Sequence, residues 1–158
     1  NAGEALARLD PDHGDGYRRR AEAYRLELEA LDRRVSDGLF LIPPGERKFV
    51  TDHDTLGYFA ARFGFTIVGA VIPSASSSAE ASARELAALE DSIRREGARA
   101  VFIAAEVNPD LAQRVADDTG ARLVPLHLES LTRSDGPTPT YMALMEYNVA
   151  AIVAGLTK

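Results

Sequence analysis

The residues best suited to chemistry in this chain are a few imidazoles and carboxylates that close runs of strand-forming residues. His53 sits in a polar cluster, Asp52-His53-Asp54, directly after the β-type run 48–51. Glu106 follows the run AVFIA at 100–104, and His127 and Glu129 follow RLVPL at 122–126. Neutral imidazole and carboxylate are donors that borderline divalent metals accept. Zinc takes N and O donors at about 2.0–2.2 Å, usually four in all. His53 and Glu129 supply two. His127 stands two residues before Glu129, so continued strand geometry would turn both side chains to one side. Two donors do not make a tight site, and the remainder must come from elsewhere. A single histidine at a strand end is also commonly a hydrogen-bonded surface residue, so these residues alone leave the metal role open.

The elements that must position these groups follow from the hydrophobic pattern. Residues 49–65 set the theme: a strand, a polar turn holding His53, then Leu56, Phe59, Ala60 and Phe63 at helical spacing before Gly64. Further strands are predicted at 66–72, 100–104 and 122–126. Helices are predicted at 55–63, 79–96, from Pro109 to 118, and 141–156. The run at 66–72, TIVGAVI, is nearly all apolar and reads as a strand covered on both faces. Asn108 reads as an N-cap with Pro109 in the first helical position. Leu86, Leu89 and Ile93 point inward from one helix, and Met142, Met145, Val149, Ile152 and Leu156 from the last. The loops are 73–78 and 130–140.

Four strand–helix units in succession imply a four-stranded parallel sheet with helices on both faces, a three-layer α/β/α lobe. All strand ends then face one edge. His53, Pro73, Glu106 and Glu129 therefore share one rim, where such sheets bind ligands. Before this lobe, residues 4–9 read as the tail of a helix and 10–16 as a turn. A long helix is predicted over 17–37, its stripe Tyr17, Tyr24, Leu28, Leu31 and Val35 ended by Gly38. At 1.5 Å per residue it is roughly 30 Å long. It is either an amphipathic packing helix or a rigid spine between two lobes. Residues 39–47 read as a loop broken by Pro43-Pro44-Gly45. The division is thus 1–38, the end of one lobe and a long linker helix, and 39–158, an α/β lobe.

The other polar residues have plainer roles. Asp54 or Thr55 caps the following helix. Asp52 is solvated or orients His53 through its second ring nitrogen. Glu106 either supports the rim donors or forms a structural salt bridge. Tyr58 packs at the lobe surface, His13 lies in a distant turn, and His127 hydrogen-bonds near the rim.

Composition narrows the class. The chain has 158 residues, 46% of them hydrophobic, enough for one core. Net charge is −6 with both signs interspersed, which argues against nucleic acid. There is no cysteine, hence no disulfide framework or thiolate metal site. No apolar run reaches the roughly 18–20 residues of a membrane span. There is no H-E-x-x-H pair and no Gly-rich loop after a strand, which disfavours a metal-dependent hydrolase and a nucleotide site. The abrupt start at Asn1-Ala2 suggests a piece of a longer protein.

The segment HDTLGYFAARFGF, from His53, resembles the His-Asp-x-x-x-Tyr-Phe segment of the metal-binding proteins of bacterial zinc and manganese ABC transporters. VFIAAEVNP is similar to that family's third-strand segment. LHLESLTRSDGPTPTYMALMEYNVAAIVAGL resembles its carboxy-terminal signature, and NAGEALARLDPDHGDGYRRRAEAYRLELEAL the stretch entering its interlobe helix. The resemblance covers essentially the whole chain. It implies the second lobe, with the interlobe helix, of an extracytoplasmic solute-binding protein and not an enzyme. The metal would be gripped between this lobe and a missing amino-terminal lobe that contributes two histidines. A permease of an ABC importer would receive it. A signal peptide or lipid anchor would lie upstream, and the protein is expected to be a monomer. His53 matches the third ligand position, where zinc-type members have histidine and manganese-type members glutamate, so Zn2+ is expected, with Mn2+ as alternative. Glu129 matches the fourth, where aspartate is usual; Asp135 is the alternative acid. The isolated lobe would bind zinc weakly or not at all. Some members act as surface adhesins, which is the alternative role.

Overall fold

The computed structural model describes residues 2–53, 55–72 and 82–157. The elements in order are α1 (Ala2–Leu9), a 3-10 turn (Pro11–His13), α2 (Gly14–Phe40), a 3-10 turn (Pro44–Glu46), β1 (Lys48–Thr51), α3 (Gly57–Phe63), β2 (Thr66–Ala70), α4 (Ala83–Glu96), β3 (Ala100–Ala104), α5 (Asp110–Thr119), β4 (Arg122–Leu126) and α6 (Tyr141–Thr157). Two compact units result, Asn1–Ser36 and Asp37–Lys158.

In the first unit, α1 meets the start of α2. Arg18 Nε donates to Glu4 at 2.9 Å, and Gly14 lies where an added Cβ would be 3.6 Å from that of Ala7. The turn between them is closed on Asp10, whose carboxylate accepts from the Tyr17 hydroxyl at 3.0 Å and lies 3.0 Å from His13 Nδ1. His13 is thus a turn residue, as expected.

The second unit is the predicted α/β lobe. All strand pairings are parallel, in the order β2-β1-β3-β4. Alternation along the strands sends successive side chains to opposite faces. On one face Val50, Val101 and Ile103 pack with Leu89 and Ile93 of α4 and Ala112, Val115 and Ala116 of α5. On the other, Phe49 stacks on Phe65 at 4.3 Å between ring centroids and meets Phe102 edge-on at 5.2 Å. Phe59 of α3 completes that cluster, 5.9 Å from Phe49. α6 lies against the same face, with Gly155 beside Phe102 and Val124. Gly64, Gly97 and Gly120 terminate α3, α4 and α5 at φ of 71°, 66° and 73°, a region that L side chains rarely adopt. Among the described residues no helix is long and apolar enough to cross a membrane.

Several elements depart from the sequence expectations. α2 is longer at both ends, and Gly38 does not stop it. A Cβ there would stand 3.0 Å from Val149 Cγ1, so glycine serves a close approach to α6 inside the helix. The apolar run at 66–72, expected to be covered on both faces, is only partly covered. β2 is an edge strand, exposed at Thr66 and Ile67 and half-covered from Val68 to Ala70, with Ile67 37% exposed. Both α3 and α4 contact it, but with β1 as its one strand neighbour its outer edge stays open. α3 starts two residues late, at Gly57, with Leu56 in the cap position and no side-chain cap. Thr55 instead donates its N–H to the His53 carbonyl at 2.9 Å, and Asp54 lies outside the described residues. α4 begins at Ala83 through a capping box of Ser82 and Glu85; residues 73–81, where the loop and the helix start were expected, lie outside the described residues. Pro109, not Asn108, holds the cap position of α5; the Asn108 side chain, one residue earlier, accepts from the Asp110 N–H at 2.9 Å. Met142 and Met145 are half-buried, while Val149, Ile152 and Leu156 are buried.

Candidate metal rim

β1, β3 and β4 deliver their carboxyl ends to one edge. His53 emerges beyond β1, Glu106 beyond β3, and His127 and Glu129 beyond β4. β3 lies between β1 and β4. At about 4.8 Å per strand, the chains carrying His53 and Glu129 leave the sheet roughly 10 Å apart.

Asp52 is the anchor of the first turn. It is buried, so the solvated alternative does not hold. Its Oδ1 accepts the His53 N–H at 2.9 Å and its Oδ2 the Ala104 N–H at 3.0 Å. Its own N–H donates to the Phe102 carbonyl at 3.0 Å, and its carbonyl accepts from Ile72 at 2.9 Å. The side chain therefore ties the end of β1 to the end of β3 through donors that the ladder no longer pairs. Oδ2 also stands 3.5 Å from His53 Nδ1. The His53 side chain is 29% exposed.

The second cluster sits on β3 and β4. Ala105 donates to the Leu126 carbonyl at 2.8 Å and Val107 to the Ala104 carbonyl at 3.2 Å, which turns the chain and presents Glu106. His127 Nδ1 is 3.4 Å from Glu106 Oε1, and the Tyr147 ring lies 5.1 Å from the imidazole. His127 thus makes its expected rim contact, with Glu106 as partner.

The main chain of His127 is held by a residue the sequence reading passed over. Asn148 accepts the His127 N–H through Oδ1 at 2.9 Å and donates Nδ2–H to its carbonyl at 2.7 Å. A signal was present: Asn148 is a polar residue on the buried stripe between Met145 and Ile152, and a buried amide requires partners.

Glu129 is exposed. β4 ends at Leu126, so strand alternation does not carry His127 and Glu129 to a common side. Asp135 is exposed too, on a loop drawn shut where Thr132 donates to the Thr138 carbonyl at 3.0 Å and Thr138 donates to Thr132 Oγ1 at 2.9 Å. Tyr58 is 97% exposed, so the expected packing at the lobe surface is not seen among the described residues. Among the described residues no three metal-ligating side chains come together.

A parallel sheet with helices on both faces and polar residues beyond its carboxyl ends is an α/β lobe of the kind that binds ligands at that edge. The family profile described as "ZnuA: Zinc-uptake complex component A periplasmic" matches residues 1–155, and the chain belongs to that family. The chain is 30% identical to the iron-binding protein YfeA of Yersinia pestis over 98% of its length and 50% of that protein. It is 27% identical to the manganese-binding lipoprotein MntA of Halalkalibacterium halodurans, over 97% of this chain and 51% of that one. It is similar in structure to the periplasmic zinc-binding protein TroA from Treponema pallidum (TM-score 0.84, 26% identity, 99% of this chain and 58% of that one). A manganese-bound periplasmic metal-binding protein from candidatus liberibacter asiaticus superposes with a TM-score of 0.83 at 27% identity, over 98% of this chain and 56% of that one. The chain spans about half the length of the curated relatives it matches. Its family is one of solute-binding transport proteins, not enzymes.

Proposed function

We propose that this chain is the carboxy-terminal lobe of an extracytoplasmic solute-binding protein that captures a divalent metal, zinc first, for an ABC importer. His53 and Glu129 are its donors to the cargo. The observation that carries the reading is the Asp52–His53 arrangement. A buried carboxylate stands 3.5 Å from Nδ1, on the side where metal-binding histidines are commonly supported by an acidic partner. Imidazole favours zinc over manganese, which prefers oxygen donors. Relatives named for periplasmic location or as a lipoprotein support an extracytoplasmic home, possession of an anchor being a property of the whole protein.

Two donors on one rim hold a cation weakly. Tight capture requires further ligands from a facing lobe, which closes over the ion, excludes water and later opens at the permease. Calorimetric zinc titration of this chain beside the whole protein tests this. Expected are weak binding by the chain, tight binding by the whole protein, and loss of the tight site in His53→Ala. A nanomolar site in the chain alone, removed by His53→Ala, overturns the two-lobe account.

A further inference from the structure

We propose that Tyr141 is the apolar anchor on which the facing lobe seats when it closes over the cargo, an inference that rests on the two-lobe reading above. The first argument is where α6 begins. The helix runs back along β4. Its Asn148 is bonded to His127 just past the end of the strand, and its Ala154 carbonyl lies 3.5 Å from Nη1 of Arg122, the first residue of the strand. Tyr141 precedes Asn148 by seven residues. At 1.5 Å per residue it stands roughly 10 Å beyond the end of β4. The first two turns of α6 therefore overhang the rim, at the strand end that leads to Glu129.

The second argument is the stripe. Tyr141, Met145, Asn148, Ile152 and Leu156 recur at helical spacing along one face of α6. From Asn148 onward each of them is buried, and before it none is. Tyr141 is 49% exposed. The stripe that meets the core thus continues past the point where the sheet stops, and its last side chain is a large ring half open to water. Leu131, on the loop that leads to α6, is 50% exposed. An aromatic ring with a hydroxyl at its tip suits a surface that is wet when open and covered when closed.

The third argument names the occupant. The chain spans about half the length of the curated relatives it matches. The rim carries two donors and needs further ligands from a body opposite it. The overhang rises from that same rim, so a lobe that closes over His53 and Glu129 meets Tyr141. Rings of this kind carry a large share of the binding energy of an interface.

The test uses the whole protein, unmodified and as Tyr141→Ala and Tyr141→Phe, with zinc affinity by competitive titration, zinc release by stopped flow, and melting of the metal-free protein. Tyr141→Ala should lower zinc affinity about tenfold or more, chiefly through faster release. Tyr141→Phe should keep most of the affinity, and metal-free melting should stay the same in both. Unchanged affinity in Tyr141→Ala overturns the inference; slowed uptake in that variant would then give the ring to the permease instead. Lost affinity with an equal loss of metal-free stability also overturns it, since Tyr141 would then serve the lobe's own packing. A whole protein without a tight zinc site, or with one indifferent to His53→Ala, overturns the two-lobe reading and this inference with it.

Discussion

Asn148 and His127 are joined by two hydrogen bonds, one to each main-chain group of the histidine, at 2.9 and 2.7 Å. A helix side chain thereby finishes the work of β4 one residue after its ladder stops. An Asn148→Leu variant leaves both groups without a partner. Each orphaned group costs about 1–3 kcal/mol, so stability should fall by roughly 2–4 kcal/mol in urea titration. Asn148→Asp keeps the acceptor but sets a buried oxygen against the His127 carbonyl, and should fall at least as far.

Asp52 performs the same service for β1 and β3. In Asp52→Ala the Ala104 N–H, at a buried residue, loses its acceptor. Stability should drop by about 1–3 kcal/mol. Zinc affinity of the whole protein should fall about 10–100-fold, as for lost supports of metal-binding histidines. Calorimetry on the same preparation reads both.

The two acidic candidates beyond β4 separate by substitution. Asp135 sits on a loop closed by Thr132 and Thr138. Asp135→Asn should leave zinc affinity of the whole protein unchanged. Glu129→Gln should reduce it by more than the tenfold typical of a lost outer partner. Competitive titration against a zinc indicator measures both.

The α4 capping box carries a pH dependence. The Ser82 hydroxyl and N–H donate to Glu85, at 2.6 and 2.8 Å, and hold its carboxyl below the ordinary glutamate value of about 4.5. A depressed folded pKa stabilises the folded state above the unfolded value and is lost as pH falls through the folded one. Below about pH 4.5 the cap should weaken. The difference in melting temperature between this chain and Ser82→Ala should therefore shrink on acidification.

Gly155 sets the approach of α6 to the sheet. A Cβ there would lie 3.0 Å from Val124 Cγ2 and 3.4 Å from Phe102 Cε1. Gly155→Val overfills this contact and should cost about 1–3 kcal/mol by urea unfolding. Metal binding at the far edge should change little.

Much of the lobe was legible in the residue order. AVFIA and RLVPL are short apolar runs bounded by turn residues, and both are strands with the expected limits. Leu89 and Ile93 repeat at helical spacing and are buried where that spacing puts them. Strand–helix alternation then implied a parallel sheet, and a parallel sheet puts His53, Glu106, His127 and Glu129 on one edge. Periodicity sufficed because side-chain direction along a strand or helix is a local property of the backbone.

Other features depended on neighbours remote in sequence. The apolar run TIVGA became an edge strand only through the order in which the strands assembled. Gly38 looked like a stop and is a contact point, because Val149 comes to meet it. Asp52 is buried only because the end of β3 lies beside it with an unpaired N–H. The 3.4 Å between Glu106 and His127, and the grip of Asn148 on the latter, join residues 21 apart in sequence. The chain by itself determined which side chains reach the rim. Packing of strand against strand and helix against sheet decided how far apart their donor atoms stand, because that distance is a sum over contacts no local pattern records.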